Sequence, residues 1–156
     1  MNSDLRDLYQ EVVLDHSRKP RNFGKLEGAN RSAEGFNPLC GDRISVYVKL
    51  QQGGIEDIRF EGSGCAISKA SASLMTGALK GKRMEEAEKL FHEFHLLVTE
   101  GPNEKIDPAD LGKLVALSGV WEFPARVKCA SLAWHTMKSA LSDGGGTVTT
   151  EDPATV

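Results

Sequence analysis

Apolar positions recur at helical spacing from the start of the chain: Leu5, Leu8, Tyr9, Val12 and His16 share one face, with Ser3 before them as a candidate N-cap. Asp4 and Asp7 suit the positive end of such a helix. The stretch RKPRNFGKLEGANRSAEGFNPLCGD that follows is rich in Gly, Pro and Asn, and reads as loop with one short strand around Arg31 to Gly35. From Arg43 to Leu50 the pattern alternates, with Ile44, Val46, Val48 and Leu50 on one face, the mark of a half-buried strand. Gln52-Gly53-Gly54 supplies turn chemistry, and Ile55 to Phe60 offers a second strand, so the two predict a hairpin.

The second half returns to helical spacing. Ile67, Ala70, Ser71, Leu74, Met75 and Ala78 form one stripe, closed by Gly81; Met84, Ala87, Phe91, Phe94 and Val98 form another. Asp107-Pro108 is an N-cap and N1 pair opening a short helix that runs through Leu111, Leu114 and Val115 to Gly119. Pro124 opens the last helix, whose core stripe is Val127, Ala130, Trp134, Met137 and Leu141. The run SDGGGTVTTEDPATV after it has no apolar period and is expected to fray. Strands followed by helices, without βαβ alternation, predict an α+β fold: a small antiparallel sheet covered on one face by helices, in a single domain over 1–141 with a flexible tail at 142–156.

At 156 residues the chain is long enough to bury a core without a stabilising metal or disulfide. A formal charge of −3 leaves no basic excess to neutralise phosphates, which argues against nucleic acid as a partner. Asp4 and Asp7 stand where a signal peptide needs basic and then apolar residues, and no stretch approaches 18 apolar residues. A cytoplasmic location without membrane contact is the expectation. Three cysteines, an odd number without dense spacing, fit free thiols, a metal site or sulfur chemistry better than a disulfide framework.

Those cysteines carry the candidate chemistry. Cys40-Gly41-Asp42 precedes a predicted strand, Gly64-Cys65 lies between a strand and a helix, and Cys129 sits one turn into the last helix, between Val127 and Ala130 and off the apolar stripe. Gly41, Gly62 and Gly64 allow tight bends and close approach of the backbone to a ligand. Spacing alone leaves two readings open: three unrelated small hydrophobes, or a shared site. Asp42 adds a fourth donor, and three thiolates with one carboxylate can close a tetrahedron around Zn²⁺. Such a set calls for cations, and Arg43, Arg126 and Lys128 adjoin it in sequence, Arg126 being favoured for its forked guanidinium. His92 and His95 lie in HEFH, one residue short of the zinc-protease spacing, and read as helix surface; His16 and His135 read as helix-end or core residues. No P-loop, GxGxxG or GxSxG motif is present.

FNPLCGDRI (36 to 44), FEGSGCAISKASASLMT (60 to 76) and GVWEFPARVKCASLAWHTM (119 to 137), with LYQEVVLDHSRKPRN (8 to 22), resemble the SufU proteins of the NifU/IscU-like family. The resemblance runs from Leu8 to about Leu141. It implies the IscU-like α+β fold, one zinc ion on Cys40, Asp42, Cys65 and Cys129, and sulfur transfer for iron–sulfur cluster assembly. By the same resemblance, Cys40 accepts persulfide sulfur from a SufS-type cysteine desulfurase and passes it to downstream SUF cluster-assembly proteins. A partner histidine would replace Cys40 on the metal during docking. The alternative is an IscU-type scaffold that builds a cluster on the same residues. Lys128, where those scaffolds carry histidine, and the segment from about Phe91 to Ser118 both resemble the sulfur-transfer branch.

Overall fold

The computed structural model describes residues 3–142 and 146–150. Its elements are α1 (Ser3–Arg18), β1 (Arg31–Asn37), β2 (Asp42–Gln51), β3 (Gly54–Ser63), α2 (Ala66–Leu79), α3 (Met84–Glu100), α4 (Pro108–Leu111), α5 (Pro124–Leu141) and β4 (Gly146–Thr149), with 3-10 turns at Gly112–Leu117 and Val120–Glu122. The sheet order is β3-β2-β1-β4. β1, β2 and β3 pair antiparallel, and β2 and β3 turn through Gln52 and Gly53, both at positive φ as a two-residue hairpin loop demands.

The α+β reading holds, with two corrections. β4 lies in the stretch expected to fray, and it pairs with β1 in parallel, so the sheet is mixed. Gly-Thr-Val-Thr is too short to show a period, yet its β-branched residues suit a strand whose ladder bonds β1 supplies. The rest of the tail, 143–145 and 151–156, lies outside the described residues, as do the side chains of Ser3, Asp4 and Leu5 expected at the start of α1.

One face of the sheet carries the core. Ala33, Ile44, Val46, Val48, Ile58 and Phe60 are buried, while the alternate positions of each strand stay partly or fully exposed. α5 crosses that face, and it is buried on nearly all sides: Cys129 through Trp134, Thr136, Met137 and Ala140 are all inaccessible. Cys129 therefore lies inside although it is off the predicted stripe, because the middle of α5 is covered on most of its circumference, with Arg126 and Lys138 left exposed. Trp134 stacks on Phe94 of α3 with ring centroids 4.6 Å apart, and its Nε1 donates to Ser71 Oγ of α2 at 3.2 Å. One residue thus ties three helices.

α1 packs more shallowly. Val12, Val13 and His16 face inward and Leu8 is exposed, so the buried stripe is narrower than the predicted one. His16 Nδ1 pairs with Ser73 Oγ at 2.7 Å, an ordinary buried helix-end histidine. The predicted short helix is α-helical only to Leu111; Gly112 at φ +55 breaks it, and the chain tightens into a 3-10 turn. Asp107 caps it as expected, Oδ1 accepting from Ala109 N at 2.9 Å.

Candidate metal centre

The β1–β2 hairpin presents the first two candidate ligands. Asn37 and Asp42 face each other in register, and residues 38–41 form the loop between them. Backbone N–H groups of Cys40 and Gly41 donate to Asn37 O at 3.3 and 2.8 Å, and Gly41 takes φ +74 to complete the turn. Cys40 is exposed on that loop, whereas Asp42, the first residue of β2, is only 2 % exposed.

The other two arrive from helices. Cys65 is the N-cap of α2, its Sγ accepting from Ser68 N at 3.5 Å, and Cys129 is buried in the second turn of α5. Ligand atoms of Cys40, Asp42 and Cys129 all lie within 4.8 Å of one another. Cys129 Sγ donates to Cys40 Sγ at 3.4 Å, and Cys65 adjoins this group through its backbone N–H on Asp42 and its electrostatic interaction with Cys129. All four sequence candidates therefore converge, three as a tight group and Cys65 beside it. The Asp42 carboxylate is held at both oxygens, Oδ1 accepting from Cys65 N at 2.9 Å and Oδ2 from Asn37 Nδ2 at 3.0 Å.

Gly64 makes that approach possible. Its φ is +157, and a Cβ added there would collide with Asp42 Oδ1. The glycine expected to permit close backbone approach does so toward the candidate ligand carboxylate of Asp42.

The thiols differ in electrostatic setting. The interaction with Cys129 and the Ser68 N–H lower the Cys65 pKa from its ordinary 9.0 to about 6, against the opposing effect of burial. Cys129 moves the other way, raised by its interaction with Cys65, by burial and by Cys40. The two thiols titrate as a pair, Cys65 giving up its proton first. The exposed Arg126 guanidinium stands in the field of all three thiols, Cys129 foremost, and its pKa is raised accordingly.

Of the other predicted cations, Arg43 does not serve the cluster. β2 alternates, so with Asp42 turned inward Arg43 points to the opposite face, where it lies over the Phe36 ring at 5.0 Å. Lys128 is half-buried. The histidines group elsewhere. His95 stacks on Phe91 at 6.1 Å and meets His135 at 6.0 Å, so His95 is a half-buried packing residue, whereas His92 is exposed as expected. Sequence reasoning missed Asn37, which is fully buried and also donates to Cys129 Sγ at 3.5 Å. Only its register opposite Asp42 reveals it.

Next to the cluster runs an apolar groove of about 910 Å³, lined among others by Tyr9, Val13, Ile67, Val120, Phe123 and Arg126. Among the described residues, no helix is long and apolar enough to cross a membrane.

Fold and site together define a small α+β domain that gathers cysteine thiols and a carboxylate at one end of its sheet. The chain belongs to the NifU-like N-terminal domain family, whose model matches residues 8–143. It is 43 % identical over 145 residues to the zinc-dependent sulfurtransferase SufU of Bacillus subtilis, covering 93 % of this chain and 97 % of that one. It is 45 % identical over 141 residues to the iron–sulfur cluster assembly scaffold protein IscU of Streptococcus pyogenes, covering 89 % and 86 %. A crystal structure of a SUF-system cluster assembly scaffold protein from Fervidobacterium islandicum superposes with a TM-score of 0.80 at 33 % identity, covering 90 % of this chain and all of the other.

Proposed function

We propose that this chain is a zinc-dependent sulfurtransferase of iron–sulfur cluster assembly, accepting sulfur on Cys40 from the persulfide of a SufS-type cysteine desulfurase. The observation that carries this reading is the asymmetry of the donor set. Cys40 sits exposed on a hairpin loop, while Asp42 and Cys129 are buried in a strand and a helix, with Cys65 at a helix N-terminus. One donor is placed to meet another protein, and three are placed to stay.

The residues fit zinc. Three donor atoms lie within 4.8 Å of one another, a fourth thiol adjoins them, and the carboxylate is already oriented by two hydrogen bonds. Cys40, Asp42, Cys65 and Cys129 would hold the ion, which when bound keeps its thiol ligands deprotonated at neutral pH. Arg126 offsets the negative charge that three thiolates and a carboxylate bring together.

In the transfer itself, the Cys40 thiolate attacks the terminal sulfur of the desulfurase persulfide. A new S–S bond forms on Cys40, the donor's S–S bond breaks, and its electron pair leaves on the desulfurase thiolate. No net oxidation occurs. From Cys40 the sulfur passes to downstream SUF cluster-assembly proteins, in the cytoplasm.

The Streptococcus pyogenes scaffold and the Bacillus subtilis sulfurtransferase are about equally similar to this chain, so overall identity to these two does not divide the activities. Mass spectrometry after mixing with a cysteine desulfurase and cysteine does, read beside elemental analysis of the purified chain. The expected result is about one zinc per chain and a sulfur adduct confined to Cys40, with Cys40→Ala taking no sulfur yet keeping part of its zinc. An adduct on Cys65 or Cys129 alone, or stoichiometric iron with visible absorption in the purified chain, would overturn it.

A further inference from the structure

The amide of Asn37 bridges the metal centre and the C-terminal strand. Its Nδ2 donates to Asp42 Oδ2 at 3.0 Å and to Cys129 Sγ at 3.5 Å, and its Oδ1 accepts from Thr150 Oγ1 at 3.0 Å. Both residues are buried, Asn37 fully and Thr150 to 3 % exposure. Thr150 is itself held by its backbone N–H, which donates to Phe36 O at 3.0 Å and so extends the pairing of β4 with β1.

We infer that Asn37 and Thr150 are positioning residues of the centre, a pair that tethers Asp42 and Cys129 and makes no side-chain bond to Cys40, whose Sγ accepts from Cys129 Sγ. The inference rests on the metal-site reading above and deepens it. Its logic follows from donor and acceptor roles. A carboxylate only accepts, so the Asn37 NH₂ must face Asp42, and Oδ1 is then forced toward Thr150. A hydroxyl can donate or accept; here it donates, and this fixes the amide against flipping. Without that donor, Oδ1 would be a buried acceptor lacking a partner, and the amide would lose the reason to keep its orientation.

The tether is selective among the donors. Asn37 reaches Asp42 and Cys129 with its side chain, whereas toward the Cys40 loop it offers only its backbone carbonyl. Under the sulfur-transfer reading, the tethered donors are ones that must stay on the metal while Cys40 departs. The C-terminal strand thereby becomes part of the site.

Zinc retention against a chromogenic chelator and the visible spectrum of the cobalt(II)-substituted chain test this, using full-length Thr150→Val, Thr150→Ser, Asn37→Ala and the double variant Asn37→Ala/Thr150→Val. Asn37→Ala is expected to weaken zinc binding roughly 10–100-fold, the usual effect of removing a group that orients a ligand. Thr150→Val, nearly isosteric, should weaken it several-fold and shift the cobalt bands, while Thr150→Ser keeps the donor and stays near the parent chain. In the Asn37→Ala background, Thr150→Val should add nothing. Loss of zinc to the same degree in Thr150→Val and Thr150→Ser, or full additivity in the double variant, would mean that β4 acts only by packing and would overturn the inference. A parent chain that holds zinc with this coupling but takes no sulfur on Cys40 removes the sulfur-transfer reading and supports the pair.

Discussion

The backbone N–H of Cys65 donates to Asp42 Oδ1 at 2.9 Å, which ties the first residue of β2 to the N-terminus of α2. That bond needs Gly64. With φ at +157 and no room for a Cβ beside Asp42 Oδ1, an alanine there must push the carboxylate away or twist the backbone.

Gly64→Ala should therefore cost roughly 1–3 kcal/mol of stability from backbone strain, and zinc content should fall along with it. Gly41→Ala is the control, since Gly41 has positive φ but nothing within 4 Å of an added Cβ. Thermal unfolding and elemental analysis of both variants check this. Equal zinc loss in the two would show that strain alone, and not the push on Asp42, is responsible.

The opposite shifts of Cys65 and Cys129 predict a pH profile for the metal-free chain. Cys65 has a folded pKa of about 6, below its ordinary 9.0, so the stability it contributes is complete above pH 9 and disappears as pH falls toward 6. Cys129 is raised, so its contribution is complete below pH 9 and is lost at higher pH. Denaturant titrations should show stability rising from pH 6 to 9 and falling beyond. Cys65→Ser should flatten the rise, and an unchanged slope would contradict the thiolate assignment.

Arg126→Ala should slow sulfur acceptance several-fold, and Lys128→Ala should do less. The guanidinium stands in the field of all three thiols, Cys129 foremost. Rates of adduct formation on Cys40, with the desulfurase in excess, compare the two variants. Equal small effects would reduce Arg126 to a surface base.

Much of this was legible before any coordinates. Periodicity located the α2, α3 and α5 helices and the β2–β3 hairpin, because each buries a face at its own period. Cys40, Asp42, Cys65 and Cys129 drew attention by standing at turns and helix starts, but spacing left open whether they share a site, and only the family resemblance joined them as one candidate ligand set. What escaped depends on pairing between distant parts of the chain. β4 has no period of its own and exists only because β1 offers an edge. Arg43 adjoins Asp42 in sequence, but strand alternation sends it to the opposite face. Asn37 gains meaning only from the register that sets it against Asp42, and Thr150 only from the parallel strand that brings it there.

The histidine group away from the metal centre predicts a separate acid response. His135 lies between Phe91 at 5.2 Å and His95 at 6.0 Å, and its Nε2 is buried without a partner among the described residues. Burial, with His95 and Lys138 nearby, lowers its pKa from 6.5 to about 4, and burial lowers His95 as well. Both are therefore neutral in the folded chain at pH 7. A folded pKa below the unfolded one means that stability is complete above pH 6.5 and is lost as pH falls toward 4, because the unfolded chain takes up the protons first. His135→Phe keeps an aromatic ring against Phe91 and removes the titrating group. Melting temperatures between pH 7 and pH 4 should fall less steeply in that variant than in the parent. The zinc-free chain is the right sample, since thiolate ligands also lose metal in acid. Parallel profiles for variant and parent would show that the acid response arises elsewhere, with His16, also lowered by burial, as the next group to replace.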